Sequence, residues 1–317
     1  MNWSQFLAEN PQISYSEIMQ RVEAPALDVV GTDDLNAEID LLYERGRDKG
    51  SSTGWASMDQ FYRVAPGFWT LVTGFPNMGK SSWVDNLAVN TMVRHDWKWL
   101  FFSAENRPYE SHWASLAELY IGKPFDKDHP FRMGRELLEN SKTFLREHCW
   151  HVAMDDQKAM TVKRVLDVAR AAIETRAINC LVIDPWNELE HQRPIGMNET
   201  EYVSTALSAL RSMARSTGIH IFVVAHPAKR QGPKEQVMSP PTPHDVSGSA
   251  HFWNKADYAV CVHRDYADKT GETFVHVQKA RHRWVARLGT VSLFHDFRTN
   301  RYVDRLSQGR EPGEDDE

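Results

Sequence analysis

Cysteine is scarce in this chain of 317 residues: Cys149, Cys180 and Cys261 are the only three, each in or beside an apolar run and none in a C-x-x-C pair. That excludes a zinc ribbon and a disulfide framework and leaves the three thiols as small buried hydrophobes. No apolar run reaches membrane-spanning length, and the start, Met1-Asn2-Trp3-Ser4-Gln5, lacks the basic and apolar regions of a signal peptide. No membrane partner is therefore expected, and a cytoplasmic location is. Positive charge is also short: 37 Lys and Arg against 43 Asp and Glu give a net charge of −6. This argues against a surface coated for nucleic acid while leaving room for a local basic channel. The 14 histidines are scattered with no H-E-x-x-H, so they read as surface or core residues. No internal repeat is visible. What remains, 41% hydrophobic and 25% charged, is ordinary globular composition, long enough for one large α/β domain with appendages or two small domains.

The strongest positive signal is Gly74-Phe75-Pro76-Asn77-Met78-Gly79-Lys80-Ser81, which fits G-x-x-x-x-G-K-[ST]. It follows an apolar run at 68–73 and precedes residues 82–96, where Trp83, Val84, Leu87, Ala88 and Met92 recur at helical spacing. Strand, glycine loop and helix in that order turn successive backbone N–H groups and a positive helix end toward one phosphate group. ATP or another nucleoside triphosphate is the expected cofactor, with Gly74, Asn77, Gly79, Lys80, Ser81 and Ser82 as its ligands. Lys80 would reach the β- and γ-phosphates, and the Ser81 hydroxyl would ligate Mg²⁺.

Around this loop, apolar runs predict strands at 69–73, 98–103, 180–184, 219–225, 258–263, 273–279 and 289–294. Amphipathic helices are predicted at 161–176, where Thr161 is the cap, and at 199–217, before Gly218. The alternation predicts an α/β fold with a mostly parallel sheet covered on both faces. Ahead of it, residues 34–45 carry Leu35, Ile39 and Leu42 as a narrow apolar stripe behind an acidic cap, and residues 50–54 read as a linker. The expected organisation is an N-terminal arm with a docking helix at 1–50, an ATPase domain at 51–305 and an acidic disordered tail at 306–317. The interval 228–254, rich in Gly and Pro, is a long functional loop.

Hydrolysis needs a second metal anchor, a group that orients water and positive charge for the transition state. Leu181-Val182-Ile183-Asp184 ends an apolar strand in an acid and makes Asp184 the anchor. Ser103-Ala104-Glu105 ends another and makes Glu105 the candidate for polarising water. Val224-Ala225-His226 places His226 where ligand sites of α/β sheets gather, as a sensor of the γ-phosphate. Lys279-Ala280-Arg281 puts two cations on one face of a strand end, with Arg281 as an arginine finger across a subunit boundary.

These motifs, with Thr53-Gly54-Trp55, Asn106, Pro185, Pro227 and Asp245-Val246-Ser247-Gly248-Ser249-Ala250, run colinearly over residues 50–303. In that order the chain resembles the hexameric replicative DNA helicases of the RecA-like class, DnaB-type, above all the helicase half of phage primase–helicases and Twinkle. The resemblance implies a RecA-like P-loop core in a homo-oligomeric ring, usually of six, with ATP between subunits and single-stranded DNA through the centre. It implies that Gly79, Lys80 and Ser81 hold phosphate and Mg²⁺, that Glu105 is the catalytic base, Asp184 the Walker B acid and His226 the sensor. Lys279 and Arg281 would act in trans, and the 34–45 helix would dock on an adjacent subunit. Two loops would line the pore, around 188–198 and through Ser249. Lys229, Arg230, Lys234, Ser247, Gly248 and Ser249 are the expected DNA contacts. About fifty residues ahead of the core leave no room for a primase, so a primase and a polymerase are expected as separate partners. The host would be a bacterial or phage-infected cell.

The function so implied is ATP-driven unwinding of duplex DNA. The rivals are a RecA-like DNA-binding ATPase, recombinase or loader, that does not unwind, and a nucleotide-switched scaffold. The acidic tail is a candidate dock for a basic partner, or simply a solubilising segment.

Overall fold

The computed structural model describes residues 30–155, 158–228, 239–246, 249–264 and 270–304. The chain divides into two units, Met1–Arg47 and Asp48–Glu317. In the first, a short 3-10 turn, Asp33–Leu35, leads into α1 (Asn36–Arg45). The acid read as its cap does not cap it: Asp34 accepts from the Gly31 N–H at 2.8 Å, and the helix begins two residues later.

The second unit is built on one nine-stranded sheet. Its strands are β1 (Trp69–Thr73), β2 (Trp99–Ser103), β3 (Cys149–His151), β4 (Cys180–Asp184), β5 (His220–Val224), β6 (Tyr258–Arg264), β7 (Glu272–Ala280), β8 (Gly289–Asp296) and β9 (Arg301–Asp304). The order across the sheet is β3-β2-β4-β5-β1-β6-β7-β8-β9. Pairing is parallel from β3 to β6 and antiparallel from β6 to β9. The helices are α2 (Ala56–Asp59), α3 (Lys80–His95), α4 (Tyr109–Ile121), α5 (Arg135–His148), α6 (Val162–Arg176), α7 (Glu199–Thr217) and α8 (Ser249–Lys255). All seven strands expected from the sequence are present within two residues at either end. Two short ones, β3 and β9, carry too few residues for a period-2 pattern and escaped that reading.

Because alternate strand residues point to opposite faces, the apolar strands feed two cores. Val72, Phe101, Val182, Phe222 and Val260 pack with Trp83, Leu87 and Met92 of α3 and with Leu116 of α4. Leu71, Leu100, Leu181, Ile221 and Ala259 pack with Val165 of α6, with Leu207 and Leu210 of α7 and with Phe252 of α8. Cys149, Cys180 and Cys261 are buried free thiols in these strands.

Local signals set the helix limits. The Thr161 hydroxyl accepts from the Arg164 N–H at 3.2 Å at the start of α6. Asn198 and Glu201 form a reciprocal capping box at the start of α7, and Gly218 ends it at φ +74°. The 50–54 stretch is tightly tied rather than a loose linker. Ser51 bridges Val64, and the Asp59 carboxylate accepts from the Thr53 N–H and hydroxyl, both at 2.7 Å, and from the Ser52 hydroxyl.

Candidate nucleotide site

Four of the five parallel strands that sequence reasoning could read in the core end at one place. The loop after β1, Asp184 at the end of β4, Glu105 after β2 and His226 after β5 all lie at carboxyl ends of neighbouring parallel strands, where open α/β sheets bind ligands. Pro76, Asn77, Gly79, Lys80, Ser81, Ser82, Glu105 and His226 line a cleft there of about 520 Å³.

The loop geometry depends on glycine. Gly79 sits at φ +86°, and a Cβ there would overlap the hydroxyl of Tyr302; Gly74 is so close to the Val262 carbonyl that a Cβ has no room. Asn77 adopts φ +62°, the left-handed region in which Asn is among the better tolerated residues. The first backbone bond closing α3 runs from the Trp83 N–H to the Gly79 carbonyl, 2.8 Å. The N–H groups of Lys80, Ser81 and Ser82 therefore have no acceptor within the helix and stand at its positive end.

Lys80 is buried and donates from Nζ to the Phe75 carbonyl at 3.0 Å. Burial lowers its pKa, opposed by the charges of Asp184 and Glu105. Asp184, also buried, is pushed up to about 6 by burial and by the nearby charges of Asp85 and Glu105, while the Ser81 hydroxyl, hydrogen-bonded to it, and Lys80 pull the other way. A buried carboxylate crowded by two other acids and joined to a hydroxyl is a donor set that fits a hard divalent cation such as Mg²⁺. Ser81 and Asp184 are the pair that would hold it.

Glu105 is half exposed, and its Oε1 lies 3.6 Å from His226 Nε2. It is not the cap of α4, which starts at Tyr109 after Pro108. Burial and the charge of Lys80 lower the pKa of His226, against the pull of Glu105, which favours the neutral ring at pH 7. Its backbone N–H donates to Asn187 Oδ1 at 3.0 Å, tying the sensor position to the segment after β4.

Lys279 and Arg281 are elsewhere. Strand β7 runs antiparallel to β6, pairing Thr273 with Arg264 and Ala280 with Tyr258. Arg281, one residue past the end of β7, thus lies at the opposite end of the sheet from Lys80. The seven residues of β6 separate the two ends by about 20 Å at ordinary strand rise. There Arg281 faces Asp257 and the carbonyls of Asn254 and Ala256, and Lys279 Nζ bonds the Trp253 carbonyl and lies over its ring.

Of the expected DNA contacts, Lys229, Arg230, Lys234, Ser247 and Gly248 fall outside the described residues, as does the acidic tail; Ser249 opens α8. The segment around 188–198 is an exposed turn with Ile195 in solvent and Gly196 at φ +86°, leading into the α7 cap.

Sequence reasoning missed several residues that shape the site. Tyr302 of β9 contacts the Gly79 carbonyl at 3.4 Å, and Arg264 Nη2 donates to the Tyr302 hydroxyl at 3.3 Å. Asp85, one turn after Ser81 on α3, pairs with His112 Nε2 at 3.1 Å, and His112 Nδ1 meets His151 Nε2 at 2.7 Å. That line joins the P-loop helix to the first turn of α4, close behind Glu105. Spacing on α3 shows that Asp85 shares a face with Ser81, but its partners come from distant segments.

The family model described as DnaB-like helicase C terminal domain matches residues 50–304. The Arabidopsis thaliana Twinkle homolog protein, chloroplastic/mitochondrial, is 34% identical over 94% of this chain and 43% of its own length. A replicative DNA helicase DnaB from Leifsonia xyli is 22% identical over 84% of this chain and 62% of its own. The chain therefore spans less than two thirds of these relatives. Two solved structures share the fold. One, an ATPase domain solved by itself, has TM-score 0.71 and 17% identity over 87% of this chain and 99% of that one. A DnaB-like replicative helicase, solved for its interactions with primase, has TM-score 0.69 and 20% identity over 95% of this chain and 74% of that one. By the match across residues 50–304, the chain belongs to the DnaB-like helicase C-terminal domain family.

Proposed function

We propose that this chain is the motor of an ATP-dependent replicative DNA helicase that works as a homo-oligomeric ring, of six subunits, around single-stranded DNA. The observation that carries the proposal is the separation of Lys80 and Arg281 to opposite ends of the sheet. One copy holds the phosphates and the other supplies the cations, so a complete site needs two copies.

In this reading Lys80 Nζ and the N–H groups at the start of α3 bind the β- and γ-phosphates. Bound Mg²⁺, held by Ser81 and Asp184, would neutralise charge on the phosphate oxygens. Glu105 orients the attacking water and accepts its proton, and water adds to the γ-phosphorus as the bond to ADP breaks. His226, neutral and within ion-pair distance of Glu105, reports the γ-phosphate to the loop that follows it. Arg281 and Lys279 of the next copy stabilise the charge of the transferring group. Lys229, Arg230, Lys234, Ser247, Gly248 and Ser249 contact the DNA backbone in the pore, and Leu35, Ile39 and Leu42, all exposed, form the face by which α1 docks on a neighbour.

The organisation remains that of an arm at 1–50, a motor at 51–305 and an acidic tail. A primase and a polymerase are proposed as separate partners. The compartment is the cytoplasm of a bacterial or phage-infected cell, with an organelle as the alternative suggested by the Arabidopsis homologue's name. Among the described residues no helix is long and apolar enough to cross a membrane.

The test is strand displacement on a forked duplex with ATP, using the intact chain, Lys80→Ala, Arg281→Ala and a mixture of the two. Unwinding by the intact chain, its loss in each variant and partial ATPase recovery in the mixture are expected. ATP turnover with no displacement would favour the DNA-binding ATPase instead.

A further inference from the structure

The second half of α7 presents Ser208, Arg211, Ser212 and Arg215 at helical spacing on one face, beside Ser216. They line a cleft of about 470 Å³ together with Lys255, the last residue of α8. Three cations and three hydroxyls thus meet in a protein whose net charge is −6. The carboxylate that faces this cluster is Asp257, fully buried, with Oδ1 at 3.5 Å from Arg211 Nη2 and 3.2 Å from Arg281 Nε. One buried carboxylate shared by two arginines leaves an excess of positive charge.

Some of these donors are spent. Lys255 Nζ donates to the Ser204 carbonyl at 2.6 Å and to the Ser208 hydroxyl at 2.5 Å, so it contributes field rather than a free hydrogen bond. The two arginines differ. Arg211 Nε is buried and has no hydrogen-bond acceptor among the described residues, an unusual position for a group that folded proteins nearly always satisfy. Arg215 makes no ion pair with a described residue. Burial and the charges of Arg281 and Arg215 lower the pKa of Arg211 against the pull of Asp257, as expected where cations are crowded.

Planar guanidinium forks flanked by hydroxyls match the tetrahedral oxygens of phosphate. Asp257 immediately precedes β6, so the cleft lies at the end of the sheet opposite the P-loop. The phosphates held by Lys80 in the same copy cannot reach it. We infer that Arg211 and Arg215, with the Ser212 hydroxyl, form a second phosphate-binding site that takes a polyphosphate or phosphodiester chain. This goes beyond the proposed motor, in which none of these residues has a part, and holds or fails whether or not the chain unwinds DNA. The phosphate has two possible sources, a nucleotide seated on another copy or the backbone of single-stranded nucleic acid.

The first experiment is calorimetric titration of inorganic tripolyphosphate into the Lys80→Ala chain at low salt, where the P-loop no longer competes, with and without Arg211→Gln and Arg215→Gln. The expected result is at least tenfold weaker binding or loss of one binding event in the double variant. Arg170→Gln with Arg176→Gln, which removes two positive charges from α6, should leave that event in place. Equal affinity and stoichiometry in the double variant, or an equal loss in the α6 control, would overturn the site. Arg215→Gln alone breaks no ion pair with a described residue, so it keeps the test open if Arg211→Gln unfolds the chain by stranding Asp257; it should weaken tripolyphosphate severalfold. Once the site is established, two arms separate the sources. A salt slope of oligothymidylate binding reduced by about one to two assigns the phosphates to nucleic acid. An unchanged slope, with ATPase recovered on mixing the double variant with Lys80→Ala, assigns them to the neighbour's nucleotide.

Discussion

Arg281 Nε stands 3.2 Å from Asp257 Oδ1, and that carboxylate has no solvent exposure. The Arg281 N–H also donates to the Asp257 carbonyl at 3.0 Å, and the Trp69 N–H donates to Asp257 Oδ2 at 3.3 Å. Asp257 therefore ties the start of β6 to β1 and anchors Arg281 to both. Replacing it by Asn strands two partly exposed arginines and weakens the bond to β1. A loss of about 2–3 kcal/mol is expected, read as a lower urea midpoint. An unchanged midpoint would refute the anchoring role.

Glu105→Gln keeps the shape of the side chain and removes its basicity. ATP hydrolysis should fall by about 10²- to 10⁴-fold, while affinity for a fluorescent nucleotide stays within severalfold. If turnover survives, Glu105 is not the base, and the scaffold reading gains ground. Single-turnover hydrolysis with radiolabelled ATP makes the comparison directly.

Gly79→Ala meets two obstacles, a left-handed backbone and the Tyr302 hydroxyl. The backbone part costs about 1 kcal/mol, and the overlap adds to it. Tyr302→Phe removes the obstructing oxygen, so Gly79→Ala with Tyr302→Phe should recover the steric part but not the backbone part. Thermal melts of the two single variants and the double give the coupling. Simple additivity would mean that Tyr302 does not support the loop.

His112 titrates above its usual range: burial works against its charged form, but the attraction and hydrogen bond of Asp85 outweigh it, and Asp184 adds to them. His151 beside it is lowered to about 3 by burial and then by the His112 charge, so it stays neutral. A raised folded-state pKa contributes stability that is complete below the unfolded value, about 6.5, and is lost as pH rises through the folded value. The gap in unfolding free energy between the intact chain and Asp85→Asn should therefore be widest near pH 6 and narrow toward pH 9, about three units higher. A gap of constant size would show that the pair carries no net charge.

Much of this protein was legible as a string because its signals are local. Period-2 apolar runs bounded by polar residues marked the long strands, and Thr161, Asn198 and Gly218 bounded their helices through bonds within a few residues of themselves. The P-loop was legible for the same reason: glycines, lysine and serine act within one turn of backbone. Glu105, Asp184 and His226 were readable as acids or a ring at strand ends, and strand order then brought them to one cleft.

What tertiary structure alone decided was which distant groups share a charge or a space. The antiparallel return of β7 put Arg281 at the far end from Lys80, and no residue near position 281 encodes that direction. Docking of the four-residue β9 put Tyr302 under Gly79, more than two hundred residues away in the chain. Asp85, His112 and His151 form one line only because α3, α4 and β3 pack together. Hydrogen-bonding periodicity and caps act over a few residues and are written in order along the chain, whereas burial, pKa and close approach depend on what the fold places alongside.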